Sequence, residues 1–119
     1  MKKILIVAEI IGSEDTSDQD SKIVNIVREF SDENEVHVYA KKIILNDAGD
    51  YLRMKGLGMH TQDITLVTNM PQDFDVVIAM DAWAVKMAGQ FDAKKKIRLS
   101  ENSKLVSLSA EINKKETKK

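Results

Sequence analysis

The chain has 119 residues, of which 43% are hydrophobic and 31% charged, and its formal net charge is −1. That length fits one domain able to bury roughly 65% of the surface of its unfolded chain, and so balanced a charge gives no global pull toward nucleic acid or an anionic membrane. The absence of cysteine excludes disulfides, thiolate metal sites and cysteine nucleophiles, and it fits a cytoplasmic protein.

The opening stretch "KKILIVAEII" is too short and too interrupted by Glu9 for a membrane span or a signal segment. Residues 3–8, "KILIVA", instead read as a strand covered on both faces. The polar run "GSEDTSDQD" follows it. Ile23, Val24, Ile26, Val27 and Phe30 then recur at helical spacing, so a helix is expected over about 17–31. Ser17 with Asp20 three positions on resembles a capping box, and acidic residues there suit the positive end of a helix dipole.

"EVHVYA", residues 35–40, alternates and reads as a second strand, paired parallel to the first through a right-handed crossover. A short helix is expected over 46–55, from a cap at Asn46 to a stop at Gly56. "GLGMHT" reads as a helix end and loop, and "DITLVT" as either an edge strand or an extended loop. "FDVVIAMD", residues 74–81, is the second buried strand; Asp81 ends it and caps the helix "AWAVKMAG". "KKIRLS" and "KLVSLS" are strand candidates near the end. Residues 1–110 form a single α/β domain in this scheme, and the basic stretch 111–119 is a frayed tail.

The expected architecture is a three-layer open sheet, mainly parallel and four-stranded, with helices on both faces. Sites in such folds lie beyond the carboxyl ends of strands. That address holds Glu9, Gly12, Ser13, Glu14 and Asp15 after the first strand, and Asp81 and Trp83 after "DVVIA". Basic residues are absent from this loop before Lys22. The acidic groups have three readings: a solvated turn with favourable helix-end charges, an acidic face for a basic partner, or a Mg²⁺ or Ca²⁺ site built from Glu14, Asp15 and Asp81. No other cofactor is expected. Asp81 reads either as a cap or as a ligand group, and Trp83 either as helix-to-sheet packing or as partner surface. His37 falls on the polar phase of its strand and His60 in the Gly-rich loop, with no metal-binding spacing between them. Nucleic-acid binding would need a broad basic field with interleaved aromatics, which is absent.

Three stretches carry a family resemblance. "KKILIVA" looks like the first strand of the low-molecular-weight protein tyrosine phosphatases, whose fold the arsenate reductases share. "FDVVIAMD" is similar to that family's F/Y-D-x-I-x-A-M-D stretch, and "KKIRLS" to a later strand; "LNDAGDYLRMKGLGMHTQDITLVT" has the position of its helix, glycine and variable loop. The resemblance spans about residues 2–100 and implies a phosphotyrosine-phosphatase-I-like fold. The family's chemistry needs a C-x5-R-[ST] loop after the first strand, and an Asp-Pro acid. Aligning the first strands places Ala8 at the nucleophile position, Glu14 at the Arg position and Asp15 at the Ser/Thr position. No Asp-Pro occurs. The resemblance therefore implies a degenerate, non-catalytic member that binds or regulates a protein or small-ligand partner. The alternative is a divergent receiver-like domain taking Mg²⁺ or phosphate at Asp81.

Overall fold

The computed structural model describes residues 2–44, 58–61 and 73–99. In chain order they form β1 (Lys3–Ile11), a single 3₁₀ turn (Glu14–Thr16), α1 (Ser17–Phe30), β2 (Glu35–Ile43), β3 (Gly58–Thr61), β4 (Asp73–Ala79), α2 (Ala82–Ala88) and β5 (Asp92–Arg98). The helix expected at 46–55, the strand candidates "DITLVT" and "KLVSLS", the domain limit at 110 and the tail at 111–119 lie outside the described residues.

The five strands form one sheet in the order β3-β2-β1-β4-β5. Every pairing in it is parallel. The expectation of four strands is thus corrected to five. The addition is β3, which pairs His37 with Gly58 and Ala40 with Thr61 where a loop was expected. Nothing in "GMHT" alternates; its extended conformation comes from the ladder offered by β2.

β1 is central, flanked by β2 and β4. Its residues Ile4 to Ala8 are fully buried. Ile4, Ile6 and Ala8 share a core cluster with Val36, Val38, Ala40, Val76 and Ile78, and with Ile23, Ile26, Val27 and Phe30 of α1. Leu5 and Val7 share another with Val77 and Ala79, and with Ala84 and Ala88 of α2. The two helices therefore cover opposite faces of the sheet. A strand sandwiched in this way must be apolar at every position, which is why it reads as a continuous run. Each fully buried Ile, Leu or Val in it contributes about 1.5–3 kcal/mol by leaving water.

β1 does not end at Ala8. It runs three residues further, pairing Ile10 with Lys42 and Ile11 with Ile43. Ile11 joins the α1-side cluster out of phase with the alternation of Ile4, Ile6 and Ala8. The ladder to β2 keeps its register on either side of Glu9, which itself has no partner in that ladder and is half-buried at the carboxyl end of the sheet.

Candidate functional site

In the order β3-β2-β1-β4-β5, the chain leaves β1 toward one side of the sheet and β4 toward the other. The crevice between the carboxyl ends of β1 and β4 is thus a topological switch point, the usual ligand address of an open α/β sheet. A cleft of about 610 Å³ opens beside it, lined by Asp15, Thr16, Asp18, Gln19, Ser21, Lys22, Met80 and Leu99. A smaller depression of about 390 Å³ lies at the opposite, amino-terminal ends of β1, β4 and β5, beside Lys3, Asp75 and Lys94. There Asp75 accepts from the Lys3 N–H at 2.8 Å and approaches Lys94 Nζ at 3.3 Å. Those contacts, the backbone bond first, hold its carboxyl below the ordinary value.

The loop after β1 turns on Gly12, with φ at +97°. A Cβ there would lie 2.0 Å from the carbonyl oxygen of Ile44. Only glycine satisfies both constraints, because the chain must turn left-handed while passing against the end of β2. Ser13 caps the 3₁₀ turn: its hydroxyl accepts from the Asp15 N–H at 3.3 Å, and Thr16 Oγ1 accepts from the Ser13 N–H at 3.1 Å. The expected capping box of Ser17 with Asp20 is therefore displaced to Ser13 with Thr16. Ser17 is already the first residue of α1.

Asp20 does something the sequence did not suggest. Its side chain turns back from α1, and Oδ2 accepts from the Gly12 N–H at 2.9 Å and lies 3.2 Å from Thr16 Oγ1. The residue is only 4% exposed. Its other oxygen, Oδ1, is buried with no hydrogen-bond partner. Burial raises the carboxyl's proton affinity, against the opposing effect of those two bonds. Charge alone could not have revealed this role, since the carboxylate acts eight residues away from its partner.

Asp81 is a second internal acceptor. It caps α2, with Oδ1 accepting from the Ala84 N–H at 2.8 Å. Its Oδ2 accepts from the Glu9 N–H at 2.9 Å and from Gln19 Nε2 at 3.3 Å. One carboxylate thus ties together the tail of β1, the first turn of α1 and the start of α2.

The other sequence candidates scatter. Ala8 is fully buried inside β1. Glu14 and Asp15 are exposed on the 3₁₀ turn. Among the described residues, no three His, Asp or Glu side chains converge in a way that could hold a metal ion. Trp83 is half-buried and packs against the α2-side cluster, its ring stacked on Tyr39 with centroids 6.0 Å apart.

The histidines differ most from expectation. His37 is largely covered, its side chain only 13% exposed, and contacts Glu35. His60 is buried in β3. Their rings meet across the β2–β3 ladder, with His37 Nδ1 3.2 Å from His60 Nε2. A two-residue diagonal between paired strands brings them together, and no sequence spacing encodes it.

No family model, no curated protein and no solved structure matches the chain. None of the described helices is long and apolar enough to cross a membrane.

Proposed function

We propose that this chain is a non-catalytic, low-molecular-weight-phosphatase-like domain with the three-layer arrangement of that fold, acting as a binding or regulatory module. The observation that carries the reading is the occupancy of its loop amides. A phosphate cradle needs backbone N–H groups aimed at an empty centre. Here the Gly12 N–H is taken by Asp20 and the Glu9 N–H by Asp81, while those of Ser13 and Asp15 are used within the turn. Ala8, at the family's nucleophile position, sits in the core rather than at the cleft.

Electrostatics argues the same way. Two like unit charges about 4 Å apart cost about 4 kcal/mol at an effective dielectric near 20, so an oxyanion that comes that close to Asp15 or Asp18 at the cleft is repelled. The cleft suits a basic group of a protein or small ligand better than a phosphate ester. The receiver-like alternative needs a free carboxylate at Asp81, whose two oxygens already serve three donors.

The test is aryl phosphate turnover together with amide shifts on adding inorganic phosphate. No turnover above background and unmoved resonances for Gly12 to Thr16 are expected. Turnover that disappears when the loop is altered overturns the reading.

A further inference from the structure

The contact between His37 and His60 is independent of the phosphatase-like reading, and it makes a chemical demand of its own. β3 is an edge of the described sheet, held to β2 along only four paired positions. Beside that short ladder, the two imidazoles stack with centroids 5.5 Å apart and planes 19° from parallel. His37 Nδ1 faces His60 Nε2 at 3.2 Å, and His37 Nε2 faces Glu35 Oε2 at 2.7 Å. Among the described residues, the titratable groups facing one another are thus Glu35 and His37 from β2 and His60 from β3. β4 contributes the uncharged ring of Phe74, edge-on to His37.

A carboxylate only accepts, so His37 Nε2 carries a hydrogen, a tautomer assigned from this partner. The remaining nitrogen–nitrogen contact then has a definite capacity for protons. With both rings neutral, His60 Nε2–H donates to His37 Nδ1. With one ring charged, a hydrogen still lies between the two nitrogens, and the bond becomes charge-assisted. With both rings charged, two N–H groups point at each other and two cations stand within one contact. The pair accepts one proton without losing the bond and cannot accept a second.

We propose that Glu35, His37 and His60 form a pH-sensitive latch that holds edge strand β3 to the sheet and releases it when the second proton enters. Burial first, and the neighbouring His37 second, hold the proton affinity of His60 below the ordinary imidazole value. The sign follows. In the released chain His60 titrates at its ordinary value of about 6.5, so the released state binds more protons below that pH. The latch is fully effective above about 6.5 and weakens as pH falls below it.

Amide hydrogen exchange, expressed as protection factors, tests this at about pH 7.5 and about pH 5. Protection at His60 and Thr61 is expected to fall between the two, by up to about tenfold for each unit of pH over which only the released chain takes up the second proton. Ile6 and Val7, in the central strand, should keep theirs. His60→Gln, which keeps a hydrogen-bonding group but cannot become a cation, should abolish the difference. Should His60→Gln loosen β3 at every pH, the imidazole nitrogen shifts of the unaltered chain decide. Loss of the shared hydrogen together with the protection supports the latch, and protonation of both rings without loss of protection overturns it. Equal loss of protection in β1, or no loss anywhere, overturns it as well.

Discussion

At Asp20 a buried carboxylate replaces the ligand that a strand-to-helix loop could otherwise take. It holds Gly12 and Thr16 through one oxygen and leaves the other without a partner. Truncation and neutralisation should therefore differ. Asp20→Ala strands the Gly12 N–H in a dry site, which costs about 1–3 kcal/mol. Asp20→Asn keeps an acceptor for that N–H and removes a poorly compensated charge, so its cost should stay below about 1 kcal/mol. The pH dependence has a fixed sign. Because burial raises the native proton affinity, the folded chain binds more protons than the unfolded one above the ordinary Asp value of 3.8. The favourable contribution is complete below that value and is lost as pH rises through the native one. Urea midpoints of the three proteins across that range should show a slope in the unaltered chain that Asp20→Asn lacks. Equal midpoints for Asp20→Ala and Asp20→Asn would contradict the role assigned to this carboxylate.

Between elements, Asp81 makes the longest reach. Its bonds to Glu9, Gln19 and Ala84 join β1, α1 and the seven-residue α2. A cap alone is worth about 0.5–2 kcal/mol. Stranding the Glu9 N–H adds a further penalty of about 1–3 kcal/mol where that amide is shielded from water. Asp81→Ala should thus cost about 1.5–5 kcal/mol in denaturant unfolding, the upper part of which capping alone does not explain. A loss limited to the helicity of α2, with β1 unaffected in hydrogen exchange, would show that the tie to Glu9 is idle. The capping role was legible in the sequence, because an Asp between a buried run and a helical pattern has few other uses. β1 and β4 were legible for the same kind of reason, since coverage on both faces demands an unbroken apolar run. β5 was only half visible: its exposed positions Asp92, Lys94, Lys96 and Arg98 mask the alternation with Ala93 and Ile97. β3 was invisible, as four residues beginning with glycine acquire their conformation from β2. The last turn of β1 was misjudged because Glu9 looks like a stop. At the carboxyl end of a sheet a charged side chain can reach water while its backbone stays extended.

For the whole molecule, that misjudgement decides what the resemblance to the phosphatases can mean. A phosphate loop begins where its strand ends, so the nucleophile sits at the rim of the sheet. Here the strand continues past Ala8 to Ile11, with Ala8 opposite Ala40 and buried among Ile6, Val38 and residues of α1. Introducing that family's side chains should therefore not introduce its chemistry. Ala8→Cys would place a thiol in the core, where burial disfavours the thiolate and reagents cannot reach it. The added sulfur also overpacks the site, at a cost of about 1–3 kcal/mol that a domain of this size can tolerate. Glu14→Arg adds a cation on the exposed 3₁₀ turn, while the Gly12 and Glu9 amides remain bound to Asp20 and Asp81. The double variant, checked for folding by circular dichroism, should show no aryl phosphate turnover. Its single thiol should react with a disulfide reagent only as fast as the chain unfolds, so the rate should rise with urea in step with unfolding. A thiol that reacts in the native state faster than unfolding allows would mean that residues 8–14 leave the sheet and wrap an anion after all. Turnover in that variant would then follow from the same rearrangement, because freeing the Glu9 and Gly12 amides is what an oxyanion would require.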